Sequence, residues 1–204
     1  MNMTVLVTGA AGFIGYHTIN AILDRGQSVI GIDNLNDYYD VSLKEARRDR
    51  LLKRKGMDFI RADIADKEIM LGLVKKYPQI THVVHLAAQA GVRYSLVNPY
   101  AYTRANIEGQ LVFLEICREL KNLEHAIYAS SSSVYGTNTK LPFAVSDRTD
   151  TPVSLYAATK KSVELMSHSY SHMFSIPLTG FRFFTVYGPW GRPDMSAFIF
   201  IRKI

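Results

Sequence analysis

The chain has 204 residues, 48% hydrophobic and 21% charged, enough for a substantial core and unlike a disordered or fibrous protein. The net charge of +6 raises the question of nucleic acid, but residues 42–56 hold seven Lys/Arg against two Asp/Glu and lack the aromatics and motifs of a nucleic-acid element. A single cysteine, Cys117, excludes a disulfide framework; no apolar run reaches membrane-span length and no basic secretion signal opens the chain, so a cytoplasmic protein is expected.

The predicted elements alternate from the start. "TVLVTG" reads as a strand, and "FIGYHTINAILDRG" as a helix with Ile14, Ile19, Ile22 and Leu23 at helical spacing and a stop at Gly26. "SVIGID" is a second strand. The basic stretch 42–56 forms no clean apolar stripe and reads as a solvated helix, or one offering a cation to an anionic ligand. Then come "MDFIRAD" (strand), "KEIMLGLVKKY" (helix), "ITHVVHLAA" (strand) and one long helix over about 100–120. "EHAIYASSS" is a strand, 156–174 a helix, and "IPLTGFRFF" the last strand; "MSAFIFIRKI" reads as the start of another helix. Fully apolar strands alternating with helices predict an α/β fold, a doubly wound parallel sheet covered on both faces.

Between the first strand and helix lies "GAAGFIG", with Gly9, Gly12 and Gly15. In a Rossmann-type loop, the first glycine makes the tight turn, the second lets backbone approach a pyrophosphate, and the third permits close helix–strand packing. The helix N-terminus beyond it offers N–H groups to an anion. Asp33, at the end of the second strand, is placed to accept from adenosine ribose hydroxyls and to repel a 2′-phosphate, which favours NAD over NADP. Asp63, ending the third strand, could lie beside the adenine or simply close a turn.

"SLYAATKKS" places Tyr156 and Lys160 four residues apart, a pair that alone is a weak signal. Together, the glycine loop, "HLAAQAG", "SSSSVYG" and "YAATK" resemble the extended short-chain dehydrogenases/reductases. "NLNDYYD", "AAQAGVRYS" and "RFFTVYGPWGRPDM" are most similar to the UDP-glucuronate 4-epimerases among the nucleotide-sugar epimerases.

The resemblance implies a redox-neutral epimerisation at C4 of a UDP-sugar: Tyr156 takes the C4 hydroxyl proton while hydride passes to NAD, and the 4-keto sugar turns over before the hydride returns. It implies that Lys160 supplies a cation favouring the phenolate and holds the nicotinamide ribose, and that Ser131 bonds the sugar oxygen, with Ser132 and Ser133 near enough to leave the register open. Cofactor contacts are implied for Gly9, Gly12, Phe13, Ile14, Gly15, Asp33, Asn34, Asp63, Ile64, Leu86, Ala87, Ala88, Asn106, Tyr156 and Lys160. Thr185 stands where galactose-type enzymes carry asparagine and leaves room for a C6 carboxylate; Arg93, Arg182 and Arg192 are candidate cations for it. Ser132 and Ser133 stand where the dehydratase branch has an acidic pair, which argues against dehydration.

Glu164, His168 and His172 share a helix face, but no hydrolase motif surrounds them; they read as a polar or subunit-contact face, with no metal site. His82 and His85 read as packing residues or pocket wall. The expected organisation is an NAD-binding domain over 1–176, then a last strand and the start of a nucleotide-sugar domain over 177–204. The partners expected are a UDP-sugar and a second copy paired through helices near 100–120 and 156–174, with neither nucleic acid nor membrane. Family members run on for about another 120–140 residues. The 204-residue chain is therefore expected to bind NAD but epimerise poorly; the alternatives are a fragment kept for NAD binding or subunit pairing, or another NAD-dependent nucleotide-sugar epimerase, dehydratase or dehydrogenase.

Overall fold

The computed structural model describes residues 3–204. Six strands form one parallel sheet: β1 (Thr4–Thr8), β2 (Ser28–Asp33), β3 (Met57–Arg61), β4 (His82–His85), β5 (His125–Ser131) and β6 (Leu178–Phe183). Their order is β3-β2-β1-β4-β5-β6. The chain winds outward from β1 to β3, then crosses back to lay β4 on the other side of β1. In such sheets ligands bind outside the strand carboxyl ends, at the point where the winding reverses. Here that point lies between β1 and β4.

Alternation along β1 builds both cores. Val5 and Val7 face one side, with Tyr16, Ile19 and Leu23 of α1 (Phe13–Asp24) and Leu51 of α2 (Val41–Leu52). Leu6 faces the other, toward α3 (Lys67–Lys76), α5 (Gly109–Glu119) and α6 (Leu155–Phe174), through Met70, Phe113 and Val163. Both faces are covered, as the unbroken apolar strands require. Caps fix the helix starts: Asp40 accepts from the Ser42 N–H at 2.9 Å, and Ser154 from the Ala157 N–H at 3.0 Å.

The helix expected over 100–120 is interrupted. A short α4 (Pro99–Tyr102) leads into a π-helical turn at Thr103–Glu108 before α5 begins. The periodicity of the sequence does not register the single-residue offset such a turn introduces. After β6 the chain has no regular structure until α7 (Ser196–Ile201); the segment between packs back on α1 and α2, with Trp190 against Tyr16 at 5.9 Å and His17 bonded to the Pro189 carbonyl at 2.9 Å.

The glycine loop depends on missing side chains. A Cβ at Gly9, where φ is +71°, would lie 2.8 Å from the Ala87 nitrogen; one at Gly15 would land on the Gly9 carbonyl oxygen. Gly72, in mid-α3, has open space around it. Gly15→Ala is therefore expected to destabilise by about 1–3 kcal/mol or more, whereas Gly72→Ala should stabilise by about 0.5–1 kcal/mol. Urea denaturation of both variants checks the opposite signs.

Candidate active site

A cleft of about 1010 Å³ runs along the carboxyl ends of the strands. At its β1 end lie Gly9, Gly12, Phe13, Ile14 and Gly15. Gly12 is the N-cap of α1; no side chain caps that end and no acidic residue occupies its first turn. The first N–H groups and the positive end of the helix dipole therefore face the cleft without a protein anion to satisfy them. A pyrophosphate fits this cradle.

Asp33 lies beside it, at the end of β2. Its carboxylate accepts from the Ala11 N–H at 3.0 Å and the Leu35 N–H at 2.9 Å. Burial pushes its pKa up, against those two N–H groups and the cations of Lys44 and Arg47. Asn34, Asp63 and Ile64 line the same end, and the Asn34 amide reaches Asp63 at 3.5 Å. The opposite wall is the end of β4, Leu86, Ala87 and Ala88. Asn106 does not reach the cleft as expected. It is buried within the π-helical turn, accepts from the Gln89 N–H at 2.8 Å, and donates to the Gln89 carbonyl at 3.1 Å and the Thr159 hydroxyl at 3.0 Å. It braces the wall from behind.

At the far end the structure brings together Ser131, Ser132, Ser133, Tyr156 and Lys160. Ser131 ends β5, caps the following turn through the Ser133 N–H at 3.2 Å, and bonds the Ser133 hydroxyl at 2.7 Å. Its hydroxyl also sits against the Tyr156 phenol. Ser130 also lines the cleft, but its hydroxyl is spent on Glu164, to which it donates at 2.6 Å. Among the serines, Ser131 is thus the one beside the tyrosine.

Lys160 lines the cleft with Tyr156. Buried Lys160 donates to the Ala129 carbonyl at 2.8 Å, and burial lowers its pKa to about 8. Burial pushes the Tyr156 pKa above its ordinary value, and the groups that oppose this are the Ser131 hydroxyl and the charge of Arg192. Arg192 is thus a second cation that bears on the Tyr156 phenol, beside the Lys160 that the resemblance implies. His85 lies behind, bonded to the Thr8 hydroxyl at 2.8 Å and stacked on Phe113 at 4.6 Å; burial, helped by the charge of Lys160, lowers its pKa to about 3.

Thr185, Arg93 and Arg192 all line the cleft. Arg192 is gripped by Asp194 at 3.0 and 2.5 Å, and Asp194 also accepts from the Tyr38 hydroxyl at 2.9 Å. Arg182 is committed elsewhere: it pairs with Glu164 at 2.8 and 3.0 Å and lies over the Tyr135 ring. Glu164 is thereby tied to Ser130 and Arg182. Four further residues join the site without having been singled out by number from the sequence: Tyr38, Asp194 and two buried cations of α2, Lys44 and Arg47. The last two had a signal, because Lys44, Arg47 and Leu51 follow helical spacing as one buried stripe.

The fold and the cleft define a doubly wound α/β protein built around a glycine loop, with serine, tyrosine and lysine gathered at the strand ends. The chain belongs to the NAD dependent epimerase/dehydratase family, whose pattern matches residues 5–204. It is 56% identical over 202 residues to UDP-glucuronate 4-epimerase 4 of Arabidopsis thaliana, covering 99% of this chain and 46% of that protein. It is 50% identical to a probable UDP-glucuronate 4-epimerase of Rhizobium meliloti (strain 1021), covering 99% of this chain and 59% of that one. Among solved structures it is similar to the UDP-glucuronic acid 4-epimerase of Bacillus cereus in complex with UDP-glucuronic acid and NAD. The TM-score is 0.90 at 38% identity, with coverage of 98% of this chain and 62% of the other. The chain thus spans about half to three-fifths of the length of these relatives.

The buried His85 carries a pH signature. Its folded pKa of about 3 lies below the unfolded value of 6.5, so between them the unfolded chain binds more protons and stability falls as pH falls. From pH 6.5 to 5, His85→Gln should flatten the fall in unfolding free energy by up to about 1.4 kcal/mol per pH unit. Denaturant titrations at several pH values check this.

Proposed function

We propose that the protein epimerises a UDP-hexuronate at C4, interconverting UDP-glucuronate and UDP-galacturonate with NAD as a resident cofactor. The observation that carries the reading is one continuous cleft. It joins a glycine cradle and Asp33 at one end to Ser131, Tyr156 and Lys160 at the other, with Thr185 and Arg192 beside them. The similarity to UDP-glucuronate 4-epimerases, one of them solved with UDP-glucuronic acid and NAD, supports the choice of substrate and cofactor.

NAD, when bound, supplies the hydride acceptor and donor. Its pyrophosphate would be held by the α1 N-terminus, its adenosine end by Asp33, Asn34, Asp63 and Ile64, and its nicotinamide end near Tyr156 and Lys160. The protein's own work is binding and proton handling. Tyr156 removes the proton of the C4 hydroxyl and returns it, with Ser131 bonding the same sugar oxygen. A phenol whose pKa burial raises stays protonated near neutrality and cannot accept a proton, so the opposing effects of Ser131 and Arg192 bear directly on its protonation. Thr185 leaves room for the C6 carboxylate, and Arg192 or Arg93 offers it a cation. Fixing that carboxylate matters, because a 4-keto uronate is a β-keto acid and prone to lose carbon dioxide.

The reading includes the division into an NAD-binding part over 1–176 and the beginning of a nucleotide-sugar part over 177–204. It also includes pairing of two copies through α5 and α6, which the exposed Leu111, Leu165 and Met173 support. Among the described residues no helix is long and apolar enough to cross a membrane, and a cytoplasmic location is part of the proposal.

Tyr156→Phe removes the hydroxyl that carries the transferable proton and little else. It should leave NAD affinity within about twofold while abolishing whatever interconversion the unaltered chain shows by proton NMR of UDP-glucuronate. Residual turnover near the unaltered rate would contradict the role of Tyr156. Calorimetric titration of the chain freed of bound nucleotide should show NAD binding well ahead of NADP, and Asp33→Ala should narrow the gap; equal affinity in the unaltered chain would contradict the role of Asp33.

A further inference from the structure

Arg47 is a charged side chain with 0% exposure, in the middle of a helix whose composition suggests a solvated surface. Its fork is spent on neutral oxygens. One terminal nitrogen donates to the Ala11 carbonyl at 3.0 Å and the Tyr39 hydroxyl at 2.7 Å; the other donates to the Trp190 carbonyl at 2.5 Å and the Gly191 carbonyl at 3.3 Å. Its Nε is the one buried side-chain polar atom without a partner among the described residues. Burying a charge this way is costly, and an apolar side chain of similar volume would serve stability as well or better. What the arrangement does provide is geometry.

The three carbonyls belong to two segments far apart in the chain, the glycine loop and the 190–191 stretch. The Ala11 peptide lies inside the glycine loop, its N–H held by Asp33 and its carbonyl by Arg47, one residue before the α1 cap. Trp190 and Gly191 immediately precede Arg192, the cation that opposes the rise in the Tyr156 pKa. Tyr16 and Arg50 pack on the Trp190 ring at 5.9 and 5.1 Å, so the segment docks on α1 and α2 around the guanidinium. A planar fork with several fixed donors can hold two backbone segments in one geometry; an ammonium cannot do so as well.

We propose that Arg47 is a positioning residue that couples dinucleotide binding at the glycine loop to the setting of Arg192. This rests on the dinucleotide reading of the cleft. An anion drawn to the N–H groups of the loop sets the Ala11 peptide, and the shared guanidinium sets Gly191 with it. Because coupling is reciprocal, loosening the 190–192 segment must in turn weaken the dinucleotide.

Trp190 is the only tryptophan, which makes the segment directly observable. The chain is labelled with 5-fluorotryptophan, freed of bound nucleotide and titrated with NAD, following fluorine NMR and calorimetry in the unaltered protein, Arg47→Met and Arg47→Lys. The unaltered chain should show a displaced fluorine resonance on NAD addition. Arg47→Met should bind NAD about tenfold more weakly, within the usual range for coupled sites, and lose the displacement. Arg47→Lys should fall between the two. A purely structural role would lower the melting temperature but leave affinity and displacement of the folded protein unchanged. If Arg47→Met does not fold, Arg47→Lys carries the test, with at least half of the displacement lost. Unchanged NAD affinity and displacement in a folded variant would overturn the inference while leaving the functional reading intact. No NAD binding by the unaltered chain would overturn the functional reading, and this inference with it.

Discussion

The absence of side chains at Gly9 and Gly15 is the constraint on which the site depends. A Cβ at Gly15 would meet the Gly9 carbonyl, and one at Gly9 would meet the backbone that follows β4. Without them, the end of β1, the first turn of α1 and the end of β4 share one small volume. That crowding lies where the winding of the sheet reverses, so the uncapped α1 N-terminus opens into the crevice between diverging connections. Everything else in the cleft is arranged around this corner: Asp33 is drawn to the Ala11 N–H, and the β4 end forms the facing wall.

The far end is organised by one helix face against one strand. Tyr156, Lys160 and Glu164 recur every four residues on α6. Lys160 reaches the Ala129 carbonyl and Glu164 the Ser130 hydroxyl, so successive turns are pinned to successive residues of β5. Asn106 adds a third tie, between Thr159 and the Gln89 loop. A group that handles a proton is most effective when rigid elements hold it, and Tyr156 stands on such an element. The same burial accounts for the local electrostatics. It lowers Lys160 and His85 and raises Tyr156, in each case disfavouring the charged form.

Much of this was legible in the residues. Apolar strands alternating with helices announced the layered sheet, and three glycines between β1 and α1 announced the cradle. Both are local signals that need no knowledge of distant partners. What escaped was what depends on long-range contact. Arg182 looked available as a cation until Glu164 was found beside it, and Tyr38 meets Asp194 across 156 positions of chain. The basic helix misled because hydropathy assigns every Lys and Arg to solvent, whereas Lys44 and Arg47 hold the inward stripe above Leu51. The π-helical turn was invisible for a related reason, since apolar spacing at 100–120 tolerates an offset that re-aims Asn106 inward.

The central claim is that the cleft holds a dinucleotide as a resident group whose far end meets Tyr156. The most direct measurement is to purify the protein without added nucleotide, denature it, and quantify what is released by chromatography with mass detection. The account predicts NAD, in an amount approaching one per chain and without NADP. Release of no dinucleotide, together with no NAD binding on titration of the native chain, would contradict it.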